Sequence, residues 1–493
     1  MTTDDNRGVF ETRVQTGVPG LDRVVGGGYI PGRSYMIRGK PGAGKTLAGV
    51  HFLLSGDPAD ALFVNLGEPE HDVKRDAENF GLDLDGVAFL DLSPSADSFT
   101  ESQSYDIFPA DEVETGGITE RIVDAVREHE PERVFVDPMT QFRYLAPDDY
   151  QFREQVLSFL QFLKEEDCTT LFTSQNTAAT PDDDLQFMSD GIVHLDHDSE
   201  RRNLRVTKFR GSEFEGGDHA VRISDDGMRV YPRLRPDEYQ SEFDPASVPS
   251  GIPEMDALLH GGLERGTVSI ISGPSGVGKT TTGAQFMKEA AGRGERSVIY
   301  MFEESEQTFL QRCSAINIPV EAMIERGTLE LKEIEALERS APEFANDVRY
   351  EVEENGADIV MIDGIQGYRL AVHGEEEELT NEIHALGRYL KNMGVTTILV
   401  SEIADITGQF QATEVNVSYI ADNIVFLRYL EFDGELRKAI GVLKKRASDF
   451  ERNLREYEIT QHGIRVGDQL TNLQGILSGT PEWTDDDEFD ERD

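Results

Sequence analysis

The strongest constraint on this chain is a repeat. Residues Gly17 to Thr46, GVPGLDRVVGGGYIPGRSYMIRGKPGAGKT, align without a gap on Gly251 to Thr280, GIPEMDALLHGGLERGTVSIISGPSGVGKT. A shared pattern of Gly, Pro and apolar positions over that length is far beyond chance, so each half is a full copy of one domain. The chain has 493 residues, too many for one hydrophobic core and right for two or three domains. The division read from the repeat is a first domain at 1–232, a linker at 233–248, a second domain at 249–482 and an acidic tail at 483–493. The linker lies within Pro232 to Ser250, PRLRPDEYQSEFDPASVPS, whose Pro and charge content suits a connector.

Within each half, short apolar runs alternate with longer amphipathic ones, as in a βα-repeating sheet with helices on both faces. The predicted strands of the first half are Tyr35–Ile37, Ala61–Leu66, Val87–Leu92, Arg133–Asp137 and Thr169–Thr173. Those of the second are Val268–Ile271, Ser297–Phe302, Leu329–Ile334, Ile359–Asp363 and Thr396–Ser401. Gly191–Arg210 and Asn423–Leu443 read as antiparallel additions. The fold class is therefore α/β, two tandem RecA-like domains, each a mainly parallel twisted sheet flanked by helices. Ser93 to Gly117 is a polar stretch without periodicity and receives no function.

The repeated segment ends in G-x-x-x-x-G-K-[ST] between a strand and a helix, in both copies. Its glycines let backbone N–H groups curl around phosphate oxygens at a helix N-terminus, where the dipole favours anions. The nucleotide contacts are assigned to Gly39, Gly42, Ala43, Gly44, Lys45, Thr46 and Leu47, and to Gly273, Gly276, Val277, Gly278, Lys279, Thr280 and Thr281. Lys45 and Lys279 meet the β- and γ-phosphates of ATP, and Thr46 and Thr280 hold Mg²⁺. One such motif can be accidental; two at matched sites favour nucleotide binding. A carboxylate at the end of a downstream apolar strand completes the metal site, and Asp137 in RVFVD and Asp363 in IVMID fit by position. Hydrolysis also needs a group that orients or deprotonates water. In RecA-like ATPases that glutamate follows the second strand, where Glu303 and Glu304 stand in the second half and Glu68, after Gly67, in the first. Glu303 is assigned to the metal as well as to catalysis, and the two halves are expected to be unequal catalysts.

Composition narrows the setting. No apolar run approaches the ~18 residues of a membrane span, and Met1 to Thr12 lacks a signal pattern, so a soluble, cytoplasmic protein is expected. Two cysteines, Cys168 and Cys313, one per half, read as packing residues. The formal charge of −47 is spread along the whole chain. Such a coat repels nucleic acid and anionic membranes, yet is largely screened at molar salt, where the Debye length falls to about 3 Å. It reads as adaptation to a salt-rich cytoplasm.

The motifs before each P-loop, TGVPGLDRVVGGG and SGIPEMDALLHGG, the glutamate positions and GILSGTP from Gly475 to Pro481 together resemble the KaiC family of ATPases and its archaeal relatives, over nearly the whole chain. The resemblance implies a hexameric double ring with ATP bound between subunits, read by protein signalling partners. It implies that Lys208, Phe209, Arg210 and Ser212, and likewise Lys444 and Arg446, reach a neighbouring subunit's ATP. It also implies autophosphorylation in the second domain, where Ser418 matches the first acceptor and Tyr419 replaces the second. The tail from Gln469 to Gly479 resembles the family's segment controlling that activity, with a charged extension to Asp493 that differs.

Two other readings compete. A DNA-handling motor can share the fold, but its pore-facing loops should be basic or aromatic. Here Asn176 to Ser189 contains Pro181-Asp-Asp-Asp184, and Glu402 to Val417 has no Lys or Arg. A nucleotide-gated scaffold with little catalysis suits Gly67 in the first half, and Glu303 and Glu304 oppose it in the second.

Overall fold

The computed structural model describes residues 13–93, 115–175, 181–198, 201–335, 339–373, 376–403, 419–432, 434–470, 473–474 and 482–483. The chain divides into two compact units, Met1–Arg233 and Leu234–Asp493.

The first unit is built on nine strands: β1 (Ser34–Gly39), β2 (Ala61–Asn65), β3 (Ala88–Asp91), β4 (Arg133–Asp137), β5 (Thr169–Ser174), β6 (Gly191–His197), β7 (Arg202–Phe209), β8 (His219–Ser224) and β9 (Gly227–Tyr231). They lie in the order β3-β2-β4-β5-β1-β6-β7-β8-β9. The second unit repeats the plan with β10 (Val268–Gly273), β11 (Ser297–Met301), β12 (Leu329–Glu333), β13 (Ile359–Asp363), β14 (Thr396–Glu402), β15 (Asn423–Phe432), β16 (Glu435–Lys445), β17 (Arg455–Thr460) and β18 (Gly463–Gln469). Its order, β12-β11-β13-β14-β10-β15-β16-β17-β18, is the same topology. All ten strands read from the apolar runs are present. β2 and β13 are buried along their full length, as parallel strands covered on both faces must be.

The later additions differ from expectation in one respect. β6 and β15 run parallel to β1 and β10, and antiparallel pairing begins only at β7 and β16. Two further antiparallel strands then complete each sheet. They carry charges on their outward positions, such as Arg222, Arg229, Glu456 and Arg465, which blur the alternation.

One aspartate in each unit fastens β1 or β10 to the strands beyond it. Asp190 donates its N–H to Ser34 O (2.7 Å), takes the Ser34 N–H on Oδ2 (3.3 Å) and takes the Arg210 N–H on its carbonyl (2.9 Å). Asp422 repeats this with Val268 and Arg446 at 2.7, 3.1 and 3.1 Å. Arg210 and Arg446 also pair with these carboxylates, at 3.5 and 3.7 Å.

The helices cover both faces. Asp149–Glu165 begins at an Asp148 N-cap whose Oδ1 accepts from Gln151 N (2.8 Å), and buries Phe152, Val156, Leu160 and Leu163 at helical spacing. Each such side chain contributes about 1.5–3 kcal/mol on burial. In the stretch 233–248, Leu234 enters the second unit's core and Tyr239 meets Tyr389 edge-on at 4.8 Å. Cys168 and Cys313 are buried free thiols, pushed up to about 12 and about 11 by desolvation, as packing residues should be. Among the described residues no helix is long and apolar enough to cross a membrane.

The helix after each phosphate loop, α1 (Lys45–Leu53) or α2 (Lys279–Gly292), approaches its sheet through a glycine. A Cβ on Gly49 would lie 1.9 Å from Phe135 Cζ, and one on Gly283 would lie 2.4 Å from Met361 Sδ. Phe135 is a rigid, fully buried ring, whereas a methionine can shift. Gly49→Ala should therefore destabilise the first unit by about 1–3 kcal/mol in urea unfolding, while Gly283→Ala stays near neutral because the helix gains from alanine. Equal effects would contradict this packing account.

Candidate functional site

Both phosphate loops depend on glycines in the left-handed region: Gly42 and Gly44 at φ 78° and 100°, Gly276 and Gly278 at 72° and 117°. The second of each pair is the N-cap of its helix, so the following N–H groups are free for an anion. Close approach is a second requirement. A Cβ on Gly44 would sit 2.7 Å from Met228 Cε, and one on Gly278 would sit 2.6 Å from Ile459 Cδ1. Each loop therefore rests on the outer antiparallel strands that the sequence reading did not anticipate.

Lys45 Nζ donates to Gly39 O (2.9 Å) and Lys40 O (3.0 Å), and Lys279 Nζ donates to Pro274 O (2.9 Å). An ammonium has three protons, so each lysine keeps one or more for phosphate. Desolvation pulls both lysines below their usual pKa, opposed by Asp137 in the first unit and by Glu402, Asp363 and Glu303 in the second. Ala43 and Val277 are buried within their loops, and Leu47 lines the cleft beside Lys45.

The threonine and carboxylate expected at the metal meet in both units. Thr46 Oγ1 donates to Asp137 Oδ2 at 2.6 Å, and Thr280 Oγ1 to Asp363 Oδ1 at 2.9 Å. Thr173 Oγ1 occupies the other Asp137 oxygen. A hydroxyl beside one carboxylate at the mouth of a phosphate loop fits Mg²⁺, which keeps most of its shell as water and phosphate oxygen. Among the described residues no group of three His, Cys, Asp or Glu side chains forms a closed metal cage.

The glutamates are placed differently in the two units. The hydrogen bonds from Leu66 N to Asp137 O and from Phe302 N to Asp363 O set Gly67 opposite Glu303 and Glu68 opposite Glu304. Glu68 is exposed and lines a cleft of about 440 Å³ with Lys45, Thr46, Asp76 and Asp137. Glu303 is exposed and lies over Gly364, where an added Cβ would be 2.7 Å from Glu303 Oε1. In the first unit Pro138 fills that place. Glu304 is held by Arg312, with Nε to Oε1 at 3.1 Å and Nη2 to Oε2 at 2.5 Å, and Arg312 Nη1 also donates to Thr281 Oγ1 at 2.9 Å. The position matching Arg312 in the first unit is Asp76, so Glu68 has no such clamp.

The basic residues of β7 and β16 divide into two sets. Lys208 Nζ donates to Gln186 O (2.8 Å) and Phe187 O (3.1 Å), and Lys444 Nζ to Ala421 O (2.7 Å). By register Lys208 faces Ile192 and Lys444 faces Ile424, near the starts of β6 and β15, whereas Gly39 pairs with Leu195. These cations, with Arg210 and Arg446, thus lie at the strand ends away from their own phosphate loops. Phe209 is buried and stacks on Tyr35 at 5.3 Å, and Ser212 Oγ accepts from Arg13 at 3.1 Å. Six residues before Lys208 and Lys444 stand Arg202 and Lys438, at the near end. Arg202 lines the first cleft with its Nε buried and unpartnered. Lys438 Nζ donates to Gly276 O at 3.2 Å. Sequence reasoning missed both, although counting back along the strand from the expected pair would have found them. It also missed Arg312 and Glu402, whose carboxylate is 4.0 Å from Lys279 Nζ. Ser418 lies outside the described residues; Tyr419 is half-exposed, its ring 5.2 Å from His384.

Asp363 is buried, and desolvation pushes its pKa up to about 6, with Thr280 and Arg312 resisting and Glu304 and Glu303 adding to the rise. A raised carboxylate holds its proton better folded than unfolded, so its contribution is favourable at low pH and is lost as pH rises through about 6. In nucleotide-free, metal-free protein, Asp363→Asn should therefore stabilise the second unit at pH 8, by up to about 3 kcal/mol, and do little at pH 4. Denaturant unfolding at the two pH values measures this, and a pH-independent effect would refute it.

Comparison with known proteins agrees with this geometry. The family model for the KaiC ATPase matches twice, at residues 14–235 and 248–471. The circadian clock oscillator protein KaiC of Acaryochloris marina is 27% identical over 97% of this chain and 93% of its own. The circadian clock protein KaiC3 of Synechocystis is 26% identical over 96% and 95%. The KaiC of Parathermosynechococcus lividus is 26% identical over 95% and 87%. With both units matched, each carrying an intact phosphate loop and its threonine–aspartate pair, this chain belongs to the KaiC family of ATPases.

Proposed function

We propose that this protein is a Mg²⁺-dependent, ATP-hydrolysing signalling ring of the cytoplasm, with nucleotide bound between subunits and its state read by protein partners. The observation that carries the reading is the placement of Lys208, Arg210, Lys444 and Arg446 at the ends of β7 and β16 away from their own phosphate loops. A cation so placed serves a neighbour's γ-phosphate better than its own, as an arginine finger does. Closed rings of identical subunits supply that geometry, and a homohexamer is the assembly we propose.

Within one site, the loop N–H groups and Lys45 or Lys279 bind the phosphates. Thr46 with Asp137, and Thr280 with Asp363, hold the metal, which when bound neutralises charge on the β- and γ-phosphates. Glu68 in the first unit, and Glu304 with Glu303 in the second, orient water and take its proton. Arg312 fixes the Glu304 carboxylate, leaving lone pairs on both oxygens for a water. We assign slow autophosphorylation to Ser418, the matched acceptor. A daily rhythm is no part of the proposal, although the relatives bear clock names, because Tyr419 stands where a second acceptor would be needed.

The DNA-motor reading loses further ground. Asp182 in the candidate pore loop is fully buried in a bidentate pair with Arg38, at 3.0 and 2.7 Å, which makes it a structural anchor. The net charge of −47 opposes tracking along a polyanion.

Two experiments test the proposal. With the first half intact, Lys279→Ala and Lys444→Ala should each remove second-half turnover, and mixing them equally before assembly should restore about a quarter of it, the share of interfaces with both residues intact. A mixture no better than either variant would place Lys444 in its own subunit's site or outside catalysis. Incubation with Mg-ATP followed by mass spectrometry should find phosphate on Ser418 in the wild type and none in Lys279→Ala; an unmodified wild type rejects the autokinase.

A further inference from the structure

The two units differ in the groove between two neighbouring helices. In the second unit these are Ala341–Glu353 and Glu376–Asn392, and the stretch ahead of the unit's first strand closes the groove. Asn392 Nδ2 donates to Pro236 O at 2.7 Å, and the Ser241 N–H donates to Asn392 O at 3.0 Å. Held between these bonds, Tyr239 touches both helices. Its ring meets Tyr389 edge-on at 4.8 Å, and its hydroxyl accepts from Arg349 Nη1 at 3.2 Å. The second unit thus fills the place with a phenol.

The matching helices of the first unit are Thr115–His129 and Asp149–Glu165. Val123 stands as far before Asp137 as Arg349 does before Asp363, and Phe162 as far before Thr169 as Tyr389 does before Thr396. Burial agrees with this match: Ile122 and Val126 are core residues, as are Val348 and Val352. Yet Val123 and Phe162 line an open cavity of about 610 Å³. Small-ligand pockets span about 300–1,000 Å³. Among the described residues of the first unit, none takes the part of Tyr239.

The chemistry of the wall says what fits. Phe142 and Phe159, with ring centroids 5.7 Å apart, join Phe162 to make a largely aromatic lining, which a flat aromatic guest covers best. Gln155 is half-buried in the same wall, and its amide has no hydrogen-bond partner among the described residues. The charged groups of the lining are Asp148 and Glu154, both exposed at the rim, with no Lys or Arg among the described lining residues. Such a rim attracts a cation and repels an anion. We propose that this cavity binds a small aromatic amine, its ring against the phenylalanines and its ammonium donating to the Gln155 amide oxygen under the rim carboxylates. The site shares no lining residue with the first phosphate-loop cleft, so guest and nucleotide bind separately.

The test is calorimetric titration of the full chain with 2-phenylethylamine in KCl, with ADP and Mg²⁺ saturating both phosphate loops. One amine should bind per chain, saturably. 2-Cyclohexylethylamine, equal in charge, should bind several-fold more weakly for want of a π face, and 3-phenylpropanoate more weakly still. Val123→Phe, which fills the cavity from its wall, should abolish binding. Should that variant fail to fold, Gln155→Glu replaces it, and it should tighten the amine several-fold while weakening the propanoate. Absence of saturable binding, equal affinity for the two amines, or an affinity unchanged in the variant would overturn the proposal.

Discussion

The aspartate at the start of β6, and its buried copy at the start of β15, is the constraint from which the arrangement of each unit follows. A backbone N–H and carbonyl, plus a carboxylate, join three strands at one point through Asp190 or Asp422. With the strands pinned there, the register along β6 and β7 carries Leu195 and Leu204 up to the phosphate loop and leaves Lys208 and Arg210 at the foot. The sheet separates near cations from far ones by simple counting: six residues of extended strand span about 20 Å. Near cations lie beside the subunit's own loop, and far ones lie at the opposite end of the sheet.

On this common frame the two sites have diverged by exchange. Gly67 and Pro138 in the first unit stand where Glu303 and Gly364 stand in the second. Asp76 is replaced by Arg312, and Gln175 by Glu402. The second site therefore gathers more carboxylate around Lys279 and at the same time a guanidinium that restrains part of it. The first keeps a single exposed glutamate in an open cleft.

Much of this was legible in the sequence because it is local. A phosphate loop is a short run of glycines with fixed spacing, and a parallel strand buried on both faces is a run of apolar residues; Ala61–Asn65 and Ile359–Asp363 announce themselves. Asp137 and Asp363, the aspartates proposed for the metal, stand out because they end such runs. What was not legible depends on partners distant in sequence. Arg202 and Lys438 look like any surface cation until the antiparallel strands set them beside the loops. Arg312 is one arginine on a polar helix until its reach to Glu304 is seen. The outer strands β8, β9, β17 and β18 escaped notice because one face is charged and their pairing partners, not their own pattern, hold them. Asp182 read as part of an acidic loop, yet it is among the most buried carboxylates of the first unit.

The exchange between Gly67–Pro138 and Glu303–Gly364 bears on how the duplicate halves parted. Gly364 has φ 95° and no room for a side chain beneath Glu303, while a Cβ on Gly67 would stand in ordinary contact with Pro138, 3.4 Å from its Cδ. The first half could therefore take a side chain at 67, but the second cannot take a proline at 364, whose φ is fixed at about −65°. The lock is one-sided: packing alone keeps the second half from drifting toward the first, whereas the first half's state is left to selection on chemistry.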